Sequence, residues 1–284
     1  MKIGIIGMGL IGGSFCRAFK AFTDCTVLAT TRSRATVEFA RAAGAIDGEL
    51  TDLAEVELCI VALPPEATME TLRARVGEFR PGAVVIDICG VKQPIVDCAD
   101  RLYHEAGVHY IGCHPMAGKE VAGFANSDAK LFQDASFIVT PTPLTDEDAL
   151  SALESLMLRI GFGRIARATP AEHDRNIAYT SQLAHVVSSA YIKSPTCEKV
   201  LGFSAGSFQD MTRVAKLDPE MWATLFSLNR GPLLAELDTL IENLSRFRDS
   251  LSENDRKKLV SQLEKGRELR EQVLLRQHED REPE

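Results

Sequence analysis

Three glycines near the start of the chain restrict its fold more than any other feature. Gly7-Met8-Gly9-Leu10-Ile11-Gly12 follows a short apolar, β-branched run, Lys2 to Ile6, and opens a stretch through Phe19 with helical spacing. In such a strand-turn-helix unit Gly7 allows the tight turn, Gly9 lets a pyrophosphate approach the backbone, and Gly12 permits close packing of helix on strand. The helix N-terminus adds unpaired N–H groups and a positive dipole end. Gly7, Gly9, Leu10, Ile11 and Gly12 are therefore the candidate cradle for a dinucleotide. The alternative, a glycine turn without a ligand, leaves the entropic cost of three glycines unexplained.

The rest of the chain agrees with that unit as the first of several. Strands are expected at residues 2–7, 25–30, 57–63, 83–88, 108–113 and 136–140, alternating with helical stretches. Leu58-Cys59-Ile60-Val61-Ala62-Leu63 and Ala83-Val84-Val85-Ile86 are continuously apolar, as in strands buried on both faces, with Pro64-Pro65 and Arg80-Pro81-Gly82 as bracketing turns. From Thr169 onward the strand signals stop. Helices are expected at Ala171 to Ile192, Glu198 to Ala205 and Met221 to Phe247, with Thr169-Pro170 as a helix start. The fold class is thus α/β, a Rossmann-type doubly wound domain over residues 1–168, followed by an all-α domain over residues 169–284. A length of 284 residues suits two domains. The last 40 residues carry ten charges of each sign around a sparse stripe of Leu259, Leu263, Leu269, Val273 and Leu274, which reads as a solvated helix packed on one side and ending in a frayed acidic tail, Glu279 to Glu284.

Composition excludes several classes of function. A net charge of −8 argues against a nucleic-acid partner, which needs a basic face. No window approaches the roughly 18 apolar residues of a membrane span, and the N-terminus runs into the glycine motif where a signal peptide would carry a long apolar stretch. A cytoplasmic chain is expected. Its seven cysteines, Cys16, Cys25, Cys59, Cys89, Cys98, Cys113 and Cys197, include no C-x-x-C pair. That pattern suits reduced thiols and indicates neither a disulfide framework nor a metal site.

The end of the second strand bears on cofactor choice. NAD sites usually place Asp or Glu there for the ribose hydroxyls, whereas sites for the 2′-phosphate of NADP drop the acid and supply arginine. Here Thr31, Arg32 and Ser33 follow Ala29-Thr30, with Arg34 next and no carboxylate. NADP is favoured over NAD, unless Arg32 and Arg34 are only surface charges opening the next helix.

Ile111-Gly112-Cys113-His114-Pro115-Met116-Ala117-Gly118 then carries a histidine to the carboxyl edge of the sheet. Such a histidine can accept a proton from an alcohol during hydride transfer, or it can be a hydrogen-bonded turn residue. His173 and His185 compete for the role from the helical side.

Five strings occur in the order found in the TyrA family of prephenate and arogenate dehydrogenases, and the chain resembles that family over nearly its full length. They are Gly7-Met8-Gly9-Leu10-Ile11-Gly12-Gly13-Ser14, Val91-Lys92, His114-Pro115-Met116-Ala117-Gly118, Ser181-Gln182-Leu183-Ala184-His185 and Asp210-Met211-Thr212-Arg213. With no chorismate mutase segment before Met1 and no obvious regulatory domain after the helices, it resembles the monofunctional type. The resemblance implies NAD(P)-dependent oxidative decarboxylation of prephenate to 4-hydroxyphenylpyruvate, or of arogenate to tyrosine. It implies His114 as acceptor of the ring-hydroxyl proton and Arg213 as the grip on a substrate carboxylate. Gln182, His185, Lys92 and Gly118 would complete the substrate site, and the helical domain would form a homodimer.

Two departures stand out. Gly90 occupies the position before Val91-Lys92 where many family members carry a serine that helps orient the histidine and the substrate hydroxyl, so a water, the backbone or another side chain must substitute here. Gln182 stands where several relatives have histidine. Two rival classes remain. A β-hydroxyacid dehydrogenase would need a helix-borne lysine, and Glu172 to Ala190 contains none. A dinucleotide-binding redox sensor would give no reason for His114 and Arg213.

Overall fold

The structure is a computed structural model that describes residues 1–119, 121–200 and 202–279. Its centre is one eight-stranded sheet. The strands are β1 (Lys2–Ile6), β2 (Thr26–Thr30), β3 (Gly48–Glu49), β4 (Leu58–Val61), β5 (Val84–Asp87), β6 (His109–Pro115), β7 (Ser136–Thr140) and β8 (Arg164–Arg167), in the order β3-β2-β1-β4-β5-β6-β7-β8. All neighbours pair parallel except β6 and β7. The two-residue β3 and the polar β8, Arg164-Ile165-Ala166-Arg167, lack the apolar runs that reveal the other strands.

Alternation along each strand divides the core between the two faces of the sheet. Ile3 and Ile5, Leu58 and Ile60, and Ile111 and Cys113 point to one side, where α1 (Leu10–Phe22) contributes Phe15 and Phe19 and α5 (Glu147–Arg159) contributes Leu150, Leu153 and Met157. Ile6, Cys59, Val61, Val85 and Tyr110 point to the other side. There they meet Leu72 of α3 (Pro65–Arg75) and Ile95, Ala99 and Tyr103 of α4 (Gln93–Glu105). With α2 (Arg34–Ala42) joining the first layer, the sheet is covered on both faces as a parallel sheet requires. The chain turns outward from β1 to β2 and β3, then returns to β4 on the other flank of β1. That reversal opens a crevice at the carboxyl ends of β1 and β4.

The remainder is helical. Thr169 caps α6 (Pro170–Ile177) in a reciprocal box with Glu172, as the Thr169-Pro170 signal suggests. The expected helix from Ala171 to Ile192 is α6 and α7 (Leu183–Tyr191) joined by a π turn, Ala178–Gln182. Two expectations are corrected. Among the described residues of 198–205 there is no α-helix: a 3-10 turn spans Pro195–Lys199, Gly202 has a φ of 81° that favours glycine, and α8 spans Gly206–Thr212. The helix from Met221 to Phe247 is interrupted at Asn229, between α9 (Pro219–Leu228) and α10 (Arg230–Ser252).

By packing, the described residues form one unit that ends at Leu233 and a second that begins at Leu234. In the second unit α11 (Arg256–Glu279) returns beside α10, with Gln262 Nε2 donating to Ser250 Oγ at 2.8 Å. From position 280 the expected acidic tail lies outside the described residues. Among those residues no helix is long and apolar enough to cross a membrane.

Candidate active site

The glycine cradle forms at the crevice. Gly7 has φ of 100°, and a Cβ there would lie 2.4 Å from the Ala62 carbonyl oxygen at the end of β4. At Gly12 a Cβ would sit 1.9 Å from the Gly7 carbonyl oxygen, so helix and turn touch directly. Gly9 differs: a Cβ there would meet nothing within 4 Å. It is the N-cap of α1 with no side chain bonded to the helix start, which leaves the N–H groups of the first turn, at Leu10 and Ile11, available to a ligand. An open space in front of bare N–H groups fits a dinucleotide pyrophosphate. At the end of β2, Thr31 is half-buried, Ser33 accepts the Thr36 N–H as cap of α2, and Arg34 pairs with Glu38. Arg32 is exposed.

His114 sits at the carboxyl edge of β6, half-buried, with its Nδ1 2.9 Å from His173 Nε2 of α6. His173 Nδ1 in turn lies 2.7 Å from Asp174 Oδ1. Asp174 accepts the backbone N–H groups of Lys92 at 2.7 Å and Gln93 at 2.9 Å, so it closes the N-terminus of α4. Burial holds the His114 imidazole well below its ordinary range, and His173 and Lys92 push in the same direction. Burial lowers His173 as well, against the upward pull of its hydrogen bond to Asp174. Both shifts favour the neutral form of the rings.

Gly90 lies on the Nε2 side of His114. A Cβ there would be 3.8 Å from that nitrogen and 3.7 Å from Leu225 Cδ2 of α9. One turn before Leu225, Trp222 stacks on His185 with ring centroids 3.7 Å apart, while His185 Nδ1 donates to the Ser181 carbonyl at 2.8 Å. The helix that covers Gly90 thus also holds His185. Arg213 is exposed just after α8, in the 3-10 turn Arg213–Ala215, and Gly118 is exposed beyond β6.

Two residues expected at the substrate are placed elsewhere. Lys92 is fully buried: its ammonium pairs with Asp87 and donates to the Cys113 carbonyl at 2.6 Å, tying β5 to β6 beneath the site. Asp87 also takes the Tyr110 hydroxyl at 2.7 Å. A side chain so enclosed does not reach a ligand. Gln182 is 1% exposed, with Oε1 accepting Asn229 Nδ2 at 2.8 Å, so it braces the break between α9 and α10. The other Asn229 bond, to the Asp174 carbonyl at 2.8 Å, reaches the histidine pair. Sequence reasoning missed Asp174, Asn229 and Leu225. The adjacent His173-Asp174 in the first turn of a capped helix was the available signal for the first of them.

Comparison with known proteins gives the same reading of the chain. Residues 15–166 match the model of the prephenate dehydrogenase nucleotide-binding domain, and residues 169–265 match that of the prephenate dehydrogenase dimerization domain. The chain belongs to the prephenate dehydrogenase family. A cyclohexadienyl dehydrogenase of Zymomonas mobilis is 31% identical over 281 residues, 94% of each chain. A prephenate dehydrogenase of Bacillus subtilis is 28% identical, over 96% of this chain and 76% of that one. Among solved structures, the arogenate dehydrogenase of Synechocystis superposes with a TM-score of 0.83 at 27% identity, over 96% of this chain and 100% of that one. As a member of this family the chain is an oxidoreductase of the dehydrogenase class with a nucleotide-binding Rossmann domain.

Proposed function

We propose that the protein oxidises a cyclohexadienol of the prephenate and arogenate type with loss of carbon dioxide, using NADP in preference to NAD. The observation that carries this reading is His114 at the carboxyl edge of the sheet, its Nε2 beside Gly90, on the same edge as the glycine cradle. When bound, the nicotinamide supplies the hydride acceptor. His114 Nε2 takes the hydroxyl proton as the C–H bond of the ring carbinol breaks, so that the oxygen becomes a carbonyl. The bond from the ring to its carboxylate then breaks, carbon dioxide leaves, and the electron pair makes the ring aromatic with the oxygen as a phenolate. The proton held on His114 returns to that oxygen. Arg213 grips a substrate carboxylate, with His185 and the Gly118 turn as further lining. The homologous pair of substrates suits relatives named for both.

The preference for NADP rests on the acid-free end of β2 and exposed Arg32. The helical domain forms a homodimer, in keeping with the description of the matching family domain. A single assay crossing prephenate and arogenate with NADP and NAD tests the whole reading. Reduced cofactor should form with one or both substrates, faster with NADP at limiting concentration. No reduced cofactor with either substrate contradicts the activity, and better use of NAD contradicts the cofactor preference.

A further inference from the structure

His114 can accept a proton only if the nitrogen facing the substrate is bare. A neutral imidazole has one N–H, and its position follows from what the other nitrogen bonds. Here the bonds start at a carboxylate. Asp174 Oδ1 takes the Lys92 N–H and Oδ2 takes the Gln93 N–H, so both oxygens act as acceptors at the positive end of α4. His173 Nδ1, 2.7 Å from Oδ1, must therefore donate. With its proton on Nδ1, neutral His173 has only a lone pair on Nε2. That lone pair faces His114 Nδ1 at 2.9 Å, so His114 must donate in its turn. Nε2 of His114 is left without a proton, on the side of Gly90.

We propose that His173 and Asp174 are positioning residues that fix the tautomer of His114, directing its proton to Nδ1 and keeping Nε2 free to receive the substrate's hydroxyl proton. The inference rests on His114 being the acceptor in the reaction above. It also answers the missing serine at Gly90: the ring is oriented from its far side. When Nε2 gains the proton, the cation that forms donates through Nδ1 to His173, with the Asp174 carboxylate beyond it, so the same groups stabilise the developing charge. The charged groups facing this pair are Lys92, near both rings, and Asp87 and Asp174, near His173. Protonation of His173 would reverse the chain, since its Nε2–H would then donate to His114 Nδ1 and drive the His114 proton onto Nε2. Burial of His173 opposes that reversal.

Nitrogen-15 NMR of protein labelled at its six histidines reads the tautomers directly, with His114→Asn and His173→Gln assigning the two rings. At neutral pH both His114 and His173 should carry the proton on Nδ1; a proton on His114 Nε2 overturns the proposal. Asp174→Asn supplies a second arm, because an amide N–H can donate to His173 Nδ1 and reverse both tautomers. Its turnover should fall about a hundredfold or more, with dinucleotide affinity unchanged and the His114 proton moved to Nε2. Parental turnover together with an unmoved proton overturns the proposal, and a variant that does not fold leaves the parent spectrum to decide. If neither cyclohexadienol is turned over, the substrate reading fails while the tautomer result still stands on its own.

Discussion

Gly90 is a position where a side chain is missing without a steric reason. A Cβ would be at ordinary contact distance from Leu225 and His114, and the backbone is outside the left-handed region. Gly90→Ala should therefore be neutral or should stabilise the fold by up to about 1 kcal/mol, through a less flexible unfolded chain; a clear loss in urea denaturation would contradict the unstrained contact at this position. Arg32 gives a second prediction at this scale. Arg32→Ala should weaken NADP about tenfold or more while leaving NAD nearly unchanged, because the lost group is a partner of the 2′-phosphate alone; equal losses in titrations of the two cofactors would sink the assignment. The placement of single residues was legible in the sequence where local geometry decides it. Gly7 and Gly12 answer to contacts within a strand-turn-helix unit, and His114 to the end of a strand. Lys92 and Gln182 were not legible in this way, because a motif gives a position in the chain and not the direction of the side chain. Asp174 bonds a backbone 82 residues away, which no local pattern displays.

At the scale of elements, the Asp87–Lys92 pair links β5, the start of α4 and β6 in the layer under His114. Removing one partner of a buried ion pair strands the other, at a cost of about 3–5 kcal/mol. Lys92→Met should thus lower the denaturation midpoint steeply, whereas an effect as small as that of an exposed lysine would contradict the pairing. The strands were legible because double-sided burial writes itself as continuous apolar runs; β3 and β8, short or polar, left no such trace. The break at Asn229 was hidden for a different reason. An isolated asparagine in an apolar helical stretch reads as a tolerated residue until its bonds to Asp174 and Gln182 are seen. The turn that follows α8 offers a test of the substrate side. Arg213→Ala should raise KM for the cyclohexadienol markedly, with a smaller change in kcat and unchanged dinucleotide affinity. Parental kinetics in this variant would remove the assignment of the carboxylate grip.

For the molecule as a whole, the change from alternating strands and helices to helices alone was visible in the sequence, and the two family domains meet between residues 166 and 169. The packing division after Leu233 was not visible, because the ties involved, Asp174 of α6 to the start of α4, Asn229 to Asp174, and Leu225 and Leu228 of α9 on the core, leave no contrast in composition. Those bonds bring a histidine pair from two halves of the chain together, and burial favours the neutral form of both rings. If His114 is the proton acceptor proposed above, the neutral ring is the active form, and lowering its pKa should extend activity to pH values below 6.5, with loss as pH falls through the lowered value. The most direct test is the pH dependence of kcat/KM for the parent and for His114→Asn. The parent should keep a plateau through neutrality with an acid limb below the ordinary histidine value, and His114→Asn should fall about a hundredfold or more and lose that limb. An unchanged limb and rate in the variant would contradict proton transfer to His114, and an acid limb at or above 6.5 in the parent would contradict the lowering of its pKa by burial.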